Sequence, residues 1–140
     1  MSPRNTRTGG VLERMVIPAL QNGGYQHLEQ MSVGNRIGGG RHVVDVIAEK
    51  DNKKYLISLK WQQVGGTAEQ KVPFEVICLM QTIKDNKPKF ERSYLVLGGD
   101  GWSLRDFYTG NGLSEYLSYS GLVEILTLEQ FVAKANQGRL

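Results

Sequence analysis

Cysteine occurs once in this chain, at Cys78, and histidine only twice, at His27 and His42. A lone cysteine makes no internal disulfide and has no ligand-spaced partner for zinc. It stands in the apolar run Val76-Ile77-Cys78-Leu79-Met80, where a buried core thiol is expected. Two histidines are too few for a histidine-rich metal site. No apolar run approaches the length that spans a bilayer. The opening residues, Met-Ser-Pro-Arg-Asn-Thr-Arg, lack the apolar stretch of a signal peptide. A disulfide scaffold and a zinc ribbon are therefore excluded, and a cytoplasmic protein with no membrane contact is expected. Charge is also modest: 17 Lys and Arg against 14 Asp and Glu leave a formal +3. That mild basic bias is compatible with a nucleic-acid partner without requiring one.

What is present suits one compact domain. The 140 residues are 40% hydrophobic, enough to build a core. Residues 1–8 are polar and basic and read as a mobile arm of a single domain spanning 1–140. From about Gly10, apolar residues at Val11, Leu12, Met15, Val16, Ala19 and Leu20 have helical spacing, with Pro18 expected to kink or weaken it. Tyr25 to Val33 reads as a strand, and 34–41 as a glycine-rich loop carrying Arg36 and Arg41. His42–Glu49 and Tyr55–Trp61 read as two strands of a hairpin turning at Asp51-Asn52. A helix ending near Asp85 follows, its start open between a capping box at Thr67 and Gln70 and a first turn at Pro73. Ser93–Leu97 is a further strand, with a possible strand near 122–126 and a helix over about 128–136. This order predicts an α/β fold in which helices flank a mixed central sheet.

Two residues interrupt apolar strands. Asp45 lies within Val43-Val44-Asp45-Val46-Ile47, and Lys60 within Ile57-Ser58-Leu59-Lys60-Trp61. Strand alternation puts Ser58, Lys60 and Gln62 on one face. Hairpin pairing of the two strands would bring Asp45 close to Ser58 and Lys60. A carboxylate and a lysine so placed are costly to bury unless they serve each other or a ligand. A plain ion pair on a half-exposed sheet is the competing reading from residue types alone.

An acid on the second strand, then Ser58-Leu59-Lys60 on the third, inside an αβββαβ order, resembles the PD-(D/E)XK nuclease superfamily. Residues 38–75 in particular are similar to the tetrameric homing endonucleases of this superfamily carried by a cyanobacterial group I intron. The resemblance implies a metal-dependent hydrolase that cuts double-stranded DNA, with Mg²⁺ as cofactor and a homotetramer as the working form. It implies Asp45 as central metal ligand, the Leu59 backbone carbonyl as another, and Lys60 as the group that stabilises the attacked phosphate and orients water. Ser58 occupies the position of the second acid, so the motif is incomplete there. Glu13, on the first helix, matches an extra acid of junction resolvases and their relatives and would hold metal or metal-bound water. Arg36, Arg41 and Gln62 are candidate DNA contacts. Gln62 and Glu75 could reach the metal site, with helix capping or solvent contact as the alternative. A restriction endonuclease, a junction resolvase and an inactive DNA-binding module remain open beside the homing enzyme.

Overall fold

The computed structural model describes residues 6–118 and 120–140. Its helices are α1 (Thr6–Val11), α2 (Ile17–Asn22), α3 (Ala68–Asp85), α4 (Arg105–Thr109) and α5 (Leu128–Asn136). Its strands are β1 (Gln26–Asn35), β2 (Arg41–Lys50), β3 (Lys53–Trp61), β4 (Arg92–Gly98) and β5 (Val123–Thr127). The strands form one sheet in sequence order. β1, β2 and β3 run antiparallel as a meander, and β4 and β5 add in parallel through the crossovers that contain α3 and α4. This is the expected α/β architecture, a mixed five-stranded sheet covered on both faces. Most of the arm expected over 1–8 falls outside the described residues, and from Thr6 the chain is already helical.

The expected weakening around Pro18 takes the form of a break in the α-helical ladder just before it. A π turn, Leu12–Val16, joins α1 to α2, and the Ile17 N–H bonds five residues back to the Leu12 carbonyl. The wider turn places Pro18 in the first turn of α2, where its missing N–H costs nothing. Pro73 lies inside α3 instead of opening it. A proline there cannot donate to the carbonyl four residues back, which is that of Glu69. The Tyr108 hydroxyl donates to that carbonyl at 2.7 Å. No side-chain cap forms at Thr67; the Ala68 N–H at the helix start is taken by Gln62 Oε1 at 3.0 Å.

Two apolar layers sandwich the sheet. Leu12, Val16 and Leu20 of the first helical run, with Leu128, Phe131 and Ala135 of α5, pack on Val46, Ala48, Tyr55, Ile57, Leu59 and Tyr94. Val72, Val76, Leu79 and Ile83 of α3 pack on Val44, Leu56, Leu95 and Leu97. Residues two apart on a strand normally share a face. Val44 and Val46 do not, so the alternation of β2 breaks between them, at Asp45. On the partner strand, Gln30 adopts a φ of +54° between the pairs Glu29↔Val46 and Met31↔Val44. This face switch explains why His42–Glu49 reads as a nearly unbroken apolar run: its two halves are buried on opposite sides of the sheet.

Candidate active site

The hairpin forms as expected but parts at its open end. β2 and β3 pair from Lys50↔Lys53 to Val46↔Ile57. Beyond that point the Asp45 side chain fills the gap: Oδ2 accepts the Leu59 N–H at 2.7 Å, and Oδ1 accepts from Gln30 Nε2 at 3.4 Å. An extended residue directs its N–H and C=O to the same strand edge. The Leu59 carbonyl therefore faces the same gap as its N–H.

Ser58 and Lys60 lie on the α3 side of β3, opposite Ile57 and Leu59. There Ser58 meets Glu75, a helix residue almost entirely buried (3% exposed). The Ser58 hydroxyl donates to Glu75 Oε2 at 3.0 Å. His42, fully buried on β2, puts Nε2 3.3 Å from the same oxygen. Arg36, in the turn between β1 and β2, donates to Oε1 at 2.6 Å. Two features of the turn bring the arginine there. A register shift at Ser32/Gly34 alters the end of β1, and Gly38 and Gly39 both take a φ of +99°, which lets the chain reverse within residues 36–40.

The two carboxyls are tuned in opposite directions. Burial lifts Asp45 above the usual carboxylate value and outweighs the Leu59 N–H, the Lys60 charge and the Gln30 amide, while the negative Glu75 adds to the rise. Burial also pushes Glu75 up, but the His42 bond and the electrostatic pull of Lys60, His42 and Arg36 prevail and bring it to about 2. Lys60 thus acts on both acids. Lys60 itself is only partly buried.

Carboxylate oxygens from Asp45 and Glu75 and a backbone carbonyl form a hard donor set, suited to Mg²⁺, Mn²⁺ or Ca²⁺ rather than to zinc. The raised Asp45 carboxyl is a buried acid short of compensating positive charge, which a cation would supply. Among the described residues no three His, Cys, Asp or Glu side chains gather into a ready-made cage. Two carboxylates completed by substrate phosphate oxygens is the usual arrangement for Mg²⁺.

The other expected residues are more dispersed. Glu13 is exposed on the π turn. Arg41 is exposed at the start of β2. Gln62 is buried: it is 6% exposed, with Nε2 bonded to the Gly101 carbonyl at 2.7 Å and to Glu69 Oε1 at 3.4 Å, and Oε1 accepting from the Ala68 N–H. Its amide instead ties the end of β3 to α3 and to the loop after β4. Glu69 strengthens that knot by accepting from the Ser103 and Leu104 N–H groups and the Ser103 hydroxyl.

Residue-type reasoning did not find His42 and Thr82, and gave Glu75 only an open role. The signal was present for the glutamate. Val72, Glu75, Val76, Leu79 and Ile83 share one helical stripe, so a carboxylate sits on the apolar face of α3. His42 similarly shares an inward face with Val44.

The chain belongs to the PD-(D/E)XK nuclease superfamily: residues 4–139 match the model of a PD-(D/E)XK nuclease superfamily domain. Among solved structures it is similar to a protein of unknown function, with a TM-score of 0.50 at 14% identity over 80% of this chain and 54% of that one. It also aligns with the small subunit of the heterodimeric restriction endonuclease R.BspD6I, with a TM-score of 0.45 at 17% identity over 84% of this chain and 61% of that one. The chain thus spans a little over half the length of these two proteins. Comparison with curated proteins gives no significant sequence match. Among the described residues, no helix is long and apolar enough to cross a membrane.

Proposed function

We propose that this protein is a site-specific endonuclease of the homing type that hydrolyses double-stranded DNA with Mg²⁺. The observation that carries the reading is that Asp45 and Glu75, beside the point where β2 and β3 part, are both within electrostatic reach of Lys60, and Asp45 of Glu75. The superfamily motif asks for two acids and a lysine, and these three residues supply them although Ser58 holds the second acid's place. Bound between Asp45, Glu75 and the Leu59 carbonyl, a divalent cation would neutralise phosphate charge and lower the pKa of a water. Lys60 would stabilise the negative charge that builds on the attacked phosphate and hold the water in line. Ser58 would act through Glu75, as the hydroxyl that holds it. Glu13, exposed on the π turn, would bind metal or a metal-held water, as the family resemblance implies.

DNA would reach this edge along the β1–β2 ribbon, with Arg36 and Arg41 at the base of the turn. A two-stranded ribbon fits the major groove. Gln62 would contribute by fixing the end of β3 and not by touching a base. A homotetramer is supported by the small size of the domain against a long site and by large exposed apolar side chains such as Leu28, Val64 and Phe74.

The test is incubation of the protein with Mg²⁺ and plasmids carrying candidate intron-insertion sites. Cleavage by the wild type, lost in Asp45→Asn and Lys60→Ala while DNA binding persists, is expected. Binding without cleavage under all divalent cations would identify an inactive DNA-binding module instead.

A further inference from the structure

The polar groups around Glu75 form two sets. Arg36 approaches Oε1 from the turn and is about a third exposed, whereas Ser58 and His42 approach Oε2 from inside the sheet. The inner set fixes one oxygen and leaves the other toward the open end of the site. Of the two inner groups, His42 is the more constrained. Its ring is fully buried, with Nδ1 3.4 Å from Thr82 Oγ1 and Nε2 3.3 Å from Glu75 Oε2.

The Glu75 carboxylate can only accept, so His42 Nε2 is the donor in that bond. Nδ1 lies beside the Thr82 hydroxyl, which also donates to the Cys78 carbonyl at 3.1 Å. Thr82, Cys78 and Glu75 all belong to α3, so the imidazole is anchored on the same helix whose glutamate it aims.

We propose that His42, backed by Thr82, is a positioning residue that fixes the Glu75 carboxylate in the orientation that binds the divalent cation. A free glutamate has three side-chain torsions to restrict before it can serve as a ligand, and that restriction lowers affinity unless it is already imposed. His42 imposes it from the buried side without touching the cation. This inference rests on the reading of Glu75 as the second metal-binding acid.

The experiment is calorimetric titration of Ca²⁺ into the protein bound to a duplex oligonucleotide of arbitrary sequence, with thermal unfolding measured in parallel. His42→Leu removes the donor and keeps bulk; it should weaken Ca²⁺ binding by about tenfold or more, the usual cost of losing a group that orients a ligand. His42→Gln keeps an amide N–H within reach and should hold affinity to within about threefold of wild type. Thr82→Ala should weaken binding by a few fold alone and have no added effect in the His42→Leu background. A purely structural strap would lower the unfolding temperature of His42→Leu and leave its Ca²⁺ affinity equal to that of His42→Gln, and that result overturns the proposal. Failure of the underlying reading is distinguishable, because Glu75→Gln would then leave Ca²⁺ binding unchanged from wild type.

Discussion

The Ser58 hydroxyl donates to Glu75 Oε2 at 3.0 Å, joining the strand position where the superfamily motif carries its second acid to a carboxylate from the neighbouring helix. On the proposed reading, the serine would seat an acid that arrives from elsewhere. Replacing it with another acid would set two carboxylates against each other in a buried site, a like-charge contact that forces one to bind a proton. Nothing in this arrangement requires the acid to be on β3, because the sheet and α3 are packed rigidly through Leu56, Val72 and Val76.

Cleavage by Glu75→Gln should accordingly fall about a hundredfold or more, as expected when a charge-stabilising group at the reaction centre is lost. Ser58→Ala should fall only a few fold, since His42 and Arg36 still hold the carboxylate. Ser58→Asp should cut worse than Ser58→Ala. Single-turnover rates on a plasmid substrate, with Glu13→Gln in the same series, rank Glu75 against Glu13. A Glu75→Gln enzyme as fast as wild type would return the second-acid role to Glu13.

Stability should change in opposite directions at the two acids. Asp45 has a raised folded-state pKa, so its ionised form opposes folding above that value and the penalty is relieved as pH falls. Asp45→Asn, which can still accept the Leu59 N–H, should raise the unfolding temperature at neutral pH and lose that advantage in acid. Glu75 has its pKa lowered to about 2, so its contribution is fully present above the unfolded value of 4.5 and fades as pH falls toward 2. Glu75→Gln should cost on the order of 3 kcal/mol at neutral pH and progressively less in that acid window. Denaturant titrations at several pH values measure both slopes; equal signs for the two variants would contradict the assigned electrostatics.

Much of this was legible in the primary structure, for identifiable reasons. The β2–β3 hairpin announced itself through β-branched runs around Asp51-Asn52, and both turn residues take positive φ, 54° and 66°. The helix expected over about 128–136 forms at Leu128–Asn136, and the structure adds a Thr127–Gln130 capping box to that expectation. Asp45 and Lys60 stood out as charges inside apolar strands. What remained hidden depended on tertiary partners. Pro73 is tolerated within α3 because a tyrosine distant in sequence serves the carbonyl it abandons. The extended reading of 34–41 as loop ran too long because the bulge near Gly34 lets pairing resume up to Asn35 and Arg41. Glu75 on its apolar stripe was visible as an oddity, but its partners come from two strands and a turn, which no local pattern connects.

The Pro73 substitute can be tested directly. Tyr108→Phe keeps the ring and removes only the hydroxyl that serves the Glu69 carbonyl. The buried carbonyl would then lack both its helical donor and its replacement, at a cost of about 1–3 kcal/mol. Restoring the helical donor in a Pro73→Ala, Tyr108→Phe double variant should recover most of that loss. Additive losses in a double-mutant cycle would show that the hydroxyl and the proline are not coupled.

The knot behind β3 makes a separate demand. Gly99 takes a φ of +89°, and a Cβ built there would come within 2.4 Å of the Gln62 carbonyl oxygen. Gly99→Ala therefore combines backbone strain with a clash against main chain that cannot move without disturbing the end of β3. Destabilisation of about 1–3 kcal/mol is expected, together with slower cleavage, because Lys60 is carried on that strand end. A Gly99→Ala enzyme with wild-type stability and rate would show that the loop is free to shift.

Arg36 and Arg41 lie at the two ends of one turn but should behave differently. Arg36 is held by Glu75 at 2.6 Å, whereas Arg41 is exposed on the first residue of β2. Both arginines are expected to contact DNA, so alanine at either should weaken duplex binding by about 1–3 kcal/mol where a base is read, or reduce the salt slope where a phosphate is contacted. Only Arg36 also competes for the oxygen that a cation would use. In the protein without DNA, its guanidinium neutralises Glu75 and occupies Oε1, so the cation meets a site already partly compensated. DNA phosphates offer Arg36 another anion and at the same time bring oxygen ligands to the metal. Arg36→Ala should therefore bind Ca²⁺ more tightly than wild type in the absence of DNA, while Arg41→Ala should match wild type. Calorimetric titration of Ca²⁺ into the three DNA-free proteins separates these outcomes. Weaker Ca²⁺ binding by Arg36→Ala would mean that the arginine supports the carboxylate's position more than it competes for its charge.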